Sequence, residues 1–195
     1  MIKKLTLLSI SFCSIFAMHT AELNINQYDL ELGAKFDLGQ FNTTIEPDTT
    51  FIGVTYLKGS TENDSINGNK DIEDYIDLNF MIKQNIQSTN FKIGLGIKAV
   101  LTEDFVGLPL GAELSYRLPI NSAIPIKVKA LAHYAPKSLS FSDADSFLEY
   151  RVEANAQLMS RASLYLGIRN IDTNYDNGID ITYNQSAYFG VKFSF

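Results

Sequence analysis

The sequence predicts an all-β fold: a single antiparallel up-and-down transmembrane β-barrel of about ten strands, with eight as the alternative count. Three observations carry this. Apolar and polar residues alternate with period two along almost the whole chain after residue 21. The alternating segments are long, roughly 9–13 residues, where strands of soluble proteins average about 5–6 and a tilted transmembrane strand needs about 9–11. The final segment ends in Phe-Ser-Phe, with Phe189, Val191, Phe193 and Phe195 on one face.

The first 21 residues form a separate zone. Lys3 and Lys4 precede an uncharged, mostly apolar run over 5–18, and no Asp or Glu occurs before Glu22. The run has signal-peptide length and is shorter than the ~20 apolar residues of a membrane-spanning helix. Cleavage is expected after Ala21, giving a leader over 1–21 and a barrel over 22–195. The sole cysteine, Cys13, follows Phe12, and so lacks the small preceding residue of a lipoprotein site.

The strands are then read in order. Residues 22–26 form a short candidate strand before a turn at 27–29. Alternating pieces follow over about 28–38, 50–59 (weaker) and 72–82. From 91 to 99, Phe91, Ile93, Leu95, Ile97 and Ala99 alternate with Lys92, Gly94, Gly96 and Lys98. From 108 to 118, Leu110, Ala112, Leu114 and Tyr116 alternate with Gly111, Glu113, Ser115 and Arg117. A piece over 124–134 carries Lys127 and Lys129. From 148 to 158, Leu148, Tyr150, Val152 and Ala154 alternate with Glu149, Arg151, Glu153 and Asn155. The last pieces run over 162–169 and 183–195.

Alternation alone fits a soluble periplasmic β-sandwich, whose apolar face is the core, as well as a membrane barrel, whose apolar face meets lipid. Segment length, the leader and the chain end favour the barrel. Tyr56, Tyr116, Tyr134, Tyr150 and Tyr183 fall near segment ends on the apolar parity, where aromatic girdles sit.

With the C-terminus in the periplasm, the turns 84–89, 119–123 and 159–161 fall on that side. The connections 60–70, 102–107, 136–146 and 172–182 fall outside. Glu62, Asp64, Glu103, Asp104, Asp143, Asp145, Asp172, Asp176 and Asp180 make the outer connections acidic against only Lys70 and Lys137.

Composition removes several function classes. The formal charge is −6, from 16 Lys+Arg and 22 Asp+Glu. Loss of the two leader lysines deepens it, which argues against nucleic-acid binding. Without Cys13 no disulfide, Cys-ligated metal or thiol chemistry is available, and His133 is the one histidine outside the leader. No cofactor is expected.

Chemistry is therefore sought in the strand interiors. Lys98, Glu113, Arg117, Lys127, Lys129, Glu149, Arg151, Glu153 and Arg169 share the polar parity and form an expected lumen-facing charge network. It either plugs a narrow barrel or sets the selectivity of a pore. Inward Gly94, Gly96, Gly111 and Gly167 leave room for bulky partners. His133 lies near Ser138, Ser140, Ser142, Asp143, Asp145 and Glu149, the residue types of a serine hydrolase. The local pattern matches no barrel-hydrolase motif, so a lumen-rim histidine beside Tyr134 is expected and not an enzyme. Asp172, Asn174, Asp176 and Asp180 place oxygen ligands around Gly178 like the start of a calcium loop, a weak divalent-ion candidate. The glycine is one position late and Tyr183 replaces the bidentate glutamate, so a hairpin tip with Asn-Gly turn chemistry is the alternative.

The stretches AELNINQYDLELGAKFDLGQF (21–41), GVTYLKGS (53–60), LPLGAELSYRLP (108–119), HYAPKSLSFSDADSFLEYRVEA (133–154), LYLGIRNIDTNY (164–175) and YFGVKFSF (188–195) resemble the YfaZ family of bacterial outer-membrane proteins. The run SFSDADSFLEYR is the most specific. The resemblance implies a small outer-membrane barrel without assigned biochemical role and brings no catalytic residues. The expected function is structural or passive transport. A narrow porin-like channel is the alternative, and a lipid hydrolase ranks below it. Expected partners are outer-membrane lipid and lipopolysaccharide. During biogenesis they are periplasmic chaperones and the barrel assembly machinery, which reads the terminal face of Phe189, Val191, Phe193 and Phe195.

Overall fold

The computed structural model describes residues 19–26, 29–58, 74–87, 89–102, 105–120, 124–142, 144–175 and 180–195. Its strands are β1 (Thr20–Ile25), β2 (Leu30–Asp37), β3 (Thr50–Lys58), β4 (Tyr75–Asn85), β5 (Phe91–Leu101), β6 (Val106–Gly107), β7 (Leu110–Arg117), β8 (Ile126–Ala135), β9 (Ser140–Phe141), β10 (Ala144–Met159), β11 (Ala162–Tyr175) and β12 (Asp180–Ser194). Ten of them close into one antiparallel barrel, each pairing with the next, and β12 returns to β1 from Thr20↔Ser194 to Ile25↔Phe189. The short strands β6 and β9 pair with each other, and β6 extends the outer end of β5.

Closure follows from the solvent. Lipid offers no partner to backbone N–H or C=O groups, so a spanning sheet must leave no free edge. The 22–26 segment is a true strand, and it is the element that completes the ring and settles the count at ten. Thr20 and Ala21, which the expected cleavage would remove, pair with Ser194 and Phe193. Residues 1–18 of the leader lie outside the described residues.

The two faces of the sheet have exchanged the roles they hold in a soluble protein. Leu95 is 68% exposed and Leu166 63%, whereas Asp77 and Glu149 are fully buried. Apolar side chains form the outer belt and charged ones fill the interior, as a lipid-facing barrel requires. Phe91 and Tyr116 pack ring to ring at 4.4 Å on the outer face near the periplasmic end. The side chain of Tyr183 is outside the description.

Two connections depart from the short-inside, long-outside pattern. The outer turn between β1 and β2 is short. The periplasmic connection over 38–49 is long and opens with a 3-10 helix, Leu38–Gln40. Buried Asp37 organises it, accepting from the Gly39 N–H at 3.0 Å and the Asp48 N–H at 2.8 Å. Asp48, in the left-handed region at φ 64°, accepts from Lys92 on β5 and so draws the connection across the barrel mouth.

The region 172–182 corrects the sequence reading. Most of it is strand: β11 runs to Tyr175 and β12 begins at Asp180, with Asn174 opposite Asp180. Together with the start of β10 these strands continue past Asn170 and Asp172, where the outward parity turns polar. Period-two apolar character ends at the lipid boundary, although strand pairing continues beyond it.

Candidate functional site in the barrel lumen

Alternate residues of every barrel strand enter the lumen, and their charges sort into two layers. In the outer layer Glu149 accepts from Lys98 Nζ at 2.6 Å and from Arg151 Nε at 2.5 Å. Lys98 also reaches Asp77 at 3.0 Å, and Arg151 reaches Glu31 at 2.7 Å. Arg169 bonds the same Glu31, approaches Asp29 at 3.5 Å and donates to Asn184 at 2.9 Å. This layer holds four carboxylates and three cations.

The periplasmic layer has the opposite imbalance. Lys83 donates to both oxygens of Glu113, at 2.6 and 2.7 Å. Lys129 meets Glu153 at 2.7 Å, and the Tyr188 hydroxyl donates to Glu153 at 2.9 Å. Glu22 is shared by Lys35 at 3.2 Å and Lys192 at 3.0 Å. Four cations here face three carboxylates, so the two layers together hold seven of each sign. Desolvated charges are tolerable only when paired, and each of these has a partner. Tyr165, whose ring lies 5.3 Å from Lys192 Nζ, donates to Asn24, and Asn24 donates to Glu31 at 2.6 Å, linking the two layers.

Above the ions the lumen is apolar. Tyr75, Val100, Phe105, Ala135, Phe147 and Ile171 pack with Leu57, Ala144 and Tyr175 into a cluster at the outer end. Phe105 belongs to the connection over 102–109 and stacks on Phe147 at 5.6 Å, so an outer connection folds into the mouth. A cavity of about 50 Å³ remains beside the network, bordered by Glu31, Thr55, Lys98, Leu131, His133 and Arg151 among others. That volume admits a few water molecules.

Glycines are matched to large neighbours. Gly167 lies opposite Tyr188, Gly190 opposite Tyr165 and Gly111 opposite His133. A Cβ at Gly167 would fall 2.5 Å from the Tyr188 ring. Gly94 lies opposite both Lys83 and Glu113, leaving space for that ion pair.

The structure places the sequence-derived candidates as follows. Lys98, Glu113, Lys129, Glu149, Arg151, Glu153 and Arg169 are buried in the lumen and joined by the contacts above. Arg117 and Lys127 are not part of the network, which corrects the nine-residue set. They sit at the periplasmic ends of their strands, Arg117 exposed and Lys127 half-buried, without an ion-pair partner among the described residues.

His133 is fully inside the lumen and not at its rim, 3.6 Å from Glu149, with neither ring nitrogen hydrogen-bonded. The Ser140 hydroxyl donates to the carbonyls of Ala135 and Pro136 instead, so the described residues assemble no serine–histidine pair. In the ion-loop candidate, Asp172 bonds Asn170 and Asn174 is exposed on a strand. Asp176 and the Asp180 side chain lie outside the description. Among the described residues no group of three or more His, Cys, Asp or Glu is arranged to hold a metal. Phe189, Phe193 and Phe195 are exposed on the outer face of the closing strand with Val191 between them.

Sequence reasoning missed Glu22, Asp29, Glu31, Lys35, Asp77, Lys83 and Lys192. Parity was the available signal: Glu31, Gly33, Lys35 and Asp37 alternate with apolar residues just as Glu149, Arg151 and Glu153 do. The apolar outer cluster carried no such signal, because its members share the polar parity and read as breaks in the pattern.

The fold and its filled interior define the class, an integral antiparallel β-barrel of the outer-membrane type. Residues 9–195 match the YfaZ precursor family, and the chain belongs to that family. Among curated proteins none matches it. A solved KdgM porin is similar, with 8% identity, a TM-score of 0.45, and coverage of 91% of this chain and 98% of that one.

Proposed function

We propose that the protein resides in the bacterial outer membrane as a plugged barrel with a structural role, and that it is neither an open channel nor an enzyme. The carrying observation is the lumen. Seven carboxylates and seven cations pair inside it, and an apolar cluster closes the outer end. A conduit needs hydrated charges facing a continuous water path, whereas here the ionic side chains satisfy one another. In this reading Lys98, Glu113, Lys129, Glu149, Arg151, Glu153 and Arg169 are the plug. The leader over 1–21 exports the chain and is removed. The terminal face of Phe189, Val191, Phe193 and Phe195 serves recognition by the assembly machinery, and the belt contacts outer-membrane lipid, with lipopolysaccharide meeting the outer strand ends.

The test is conductance. Protein extracted from outer membranes and shifted in gel mobility by boiling is placed in a planar bilayer. Silence at high protein density is expected. Discrete, ion-selective openings would overturn the plug and make the same charges selectivity residues.

A further inference from the structure

One pair of lumen-parity cations is left over after the network is complete. Arg117 on β7 and Lys127 on β8 are directly opposite in register. Such neighbours have Cβ atoms about 5 Å apart, and like charges there repel. Every carboxylate that faces them is engaged elsewhere. Glu113 is held through both oxygens by Lys83. Glu153 is held by Lys129 and Tyr188, and Asp48 by Lys92. The remaining neighbours are neutral hydrogen-bonding groups or more cations: Asn155 opposite Lys127, Ser115 opposite both Lys92 and Lys129.

The network itself pairs seven carboxylates with seven cations. The further buried carboxylate, Asp37, is taken up by the Gly39 and Asp48 N–H groups and the Gln40 amide, so Arg117 and Lys127 are left without an ion-pair partner among the described residues. A fold that pairs fourteen interior charges and places two more in mutual repulsion has left a site for an external anion. The guanidinium offers a fork suited to two oxygens of one oxyanion, and the ammonium offers a point charge beside it.

We propose that the Arg117–Lys127 pair at the periplasmic mouth binds a phosphate-type oxyanion. Its source is either free phosphate from the periplasm or the phosphate of a phospholipid headgroup in the inner leaflet. The site is independent of whether the lumen conducts.

The test uses the whole barrel refolded in zwitterionic micelles. Its unfolding midpoint is followed against sodium phosphate and, at matched ionic strength, sodium chloride. Phosphate should raise the wild-type midpoint saturably and beyond chloride. R117Q or K127Q should weaken the apparent affinity about tenfold, the worth of one charge-assisted contact. R117Q/K127Q should abolish the effect, and R117K/K127R, which keeps both charges, should retain part of it.

The lipid arm is native mass spectrometry of barrel taken from phosphatidylglycerol-containing vesicles. If the headgroup is the source, wild type retains bound phosphatidylglycerol, R117Q/K127Q does not, and free phosphate has little effect on the midpoint. Equal phosphate response and equal lipid retention in wild type and R117Q/K127Q would overturn the site. Boiling-dependent gel mobility reports folding of each variant. Should the double variant not fold, the single variants carry the same comparison.

Discussion

Replacing Arg151 with Met tests whether the interior ions hold the barrel together. The side chain is 7% exposed and bridges Glu149 at 2.5 Å to Glu31 at 2.7 Å. Met keeps most of the volume, so the change is chiefly one of charge. The outer layer then has four carboxylates against two cations. Glu149 retains Lys98, and Glu31 retains Arg169. Removing one partner of a buried pair costs about 3–5 kcal/mol. The surviving partners place R151M near the lower end, about 3 kcal/mol. Lys137→Met is the control, because its pair with Asp145 is 67% and 42% exposed and such pairs contribute about 0–1 kcal/mol. Equilibrium unfolding in urea from lipid vesicles measures both. R151M combined with Glu149→Gln restores the charge balance of the layer, so the double variant should cost less than the sum of its singles by about 1–3 kcal/mol. A cost for R151M within 1 kcal/mol of K137M, or strict additivity with E149Q, would refute the reasoning.

Three further outcomes follow from the packing. Phe105→Ala, at a 1% exposed ring stacked on Phe147, should destabilise by about 3–5 kcal/mol in the same unfolding assay. Planar bilayers of that variant should stay silent, because the ionic layers below the apolar cluster are untouched. Gly111→Ala drives a methyl into the His133 ring and should cost about 1–3 kcal/mol, with His133→Ala recovering most of the loss when the two are combined. Phe195→Lys should lower the amount of heat-modifiable barrel in isolated outer membranes while leaving refolding into vesicles intact; equal loss in both would assign Phe195 to stability and not to recognition.

The β class, the strand polarity and most strand positions were legible because lipid imposes them on sequence directly. One face must be apolar for the membrane's thickness, and the alternation of 91–99 and 148–158 records that demand. Legibility ended where lipid ended. Beyond Ile168 the residues that continue the outward parity, Asn170, Asp172 and Asn174, are polar, so β11 reads as a loop although its pairing runs on to Tyr175. The long periplasmic connection was equally silent, since it is built on one buried carboxylate, Asp37, whose role depends on backbone N–H groups at Gly39 and Asp48.

The site was legible as a parity and not as a network. Parity says which charges point inward but not which meet across a barrel. Arg169 and Glu31 lie on β11 and β2, separated by β12 and β1, yet they are bonded. Such contacts depend on how far each strand is staggered along the barrel and on its closure through β1, the segment with the shortest pattern. What could be read locally is the size matching. Gly167 opposite Tyr188 and Gly111 opposite His133 are cross-strand neighbours fixed by register alone. Each glycine leaves the space that the ring on the neighbouring strand occupies, where a Cβ would collide with it. Small residues on the wall and long charged ones across the lumen are one packing solution. Gly111→Ala and Arg151→Met perturb that same solution from its two ends.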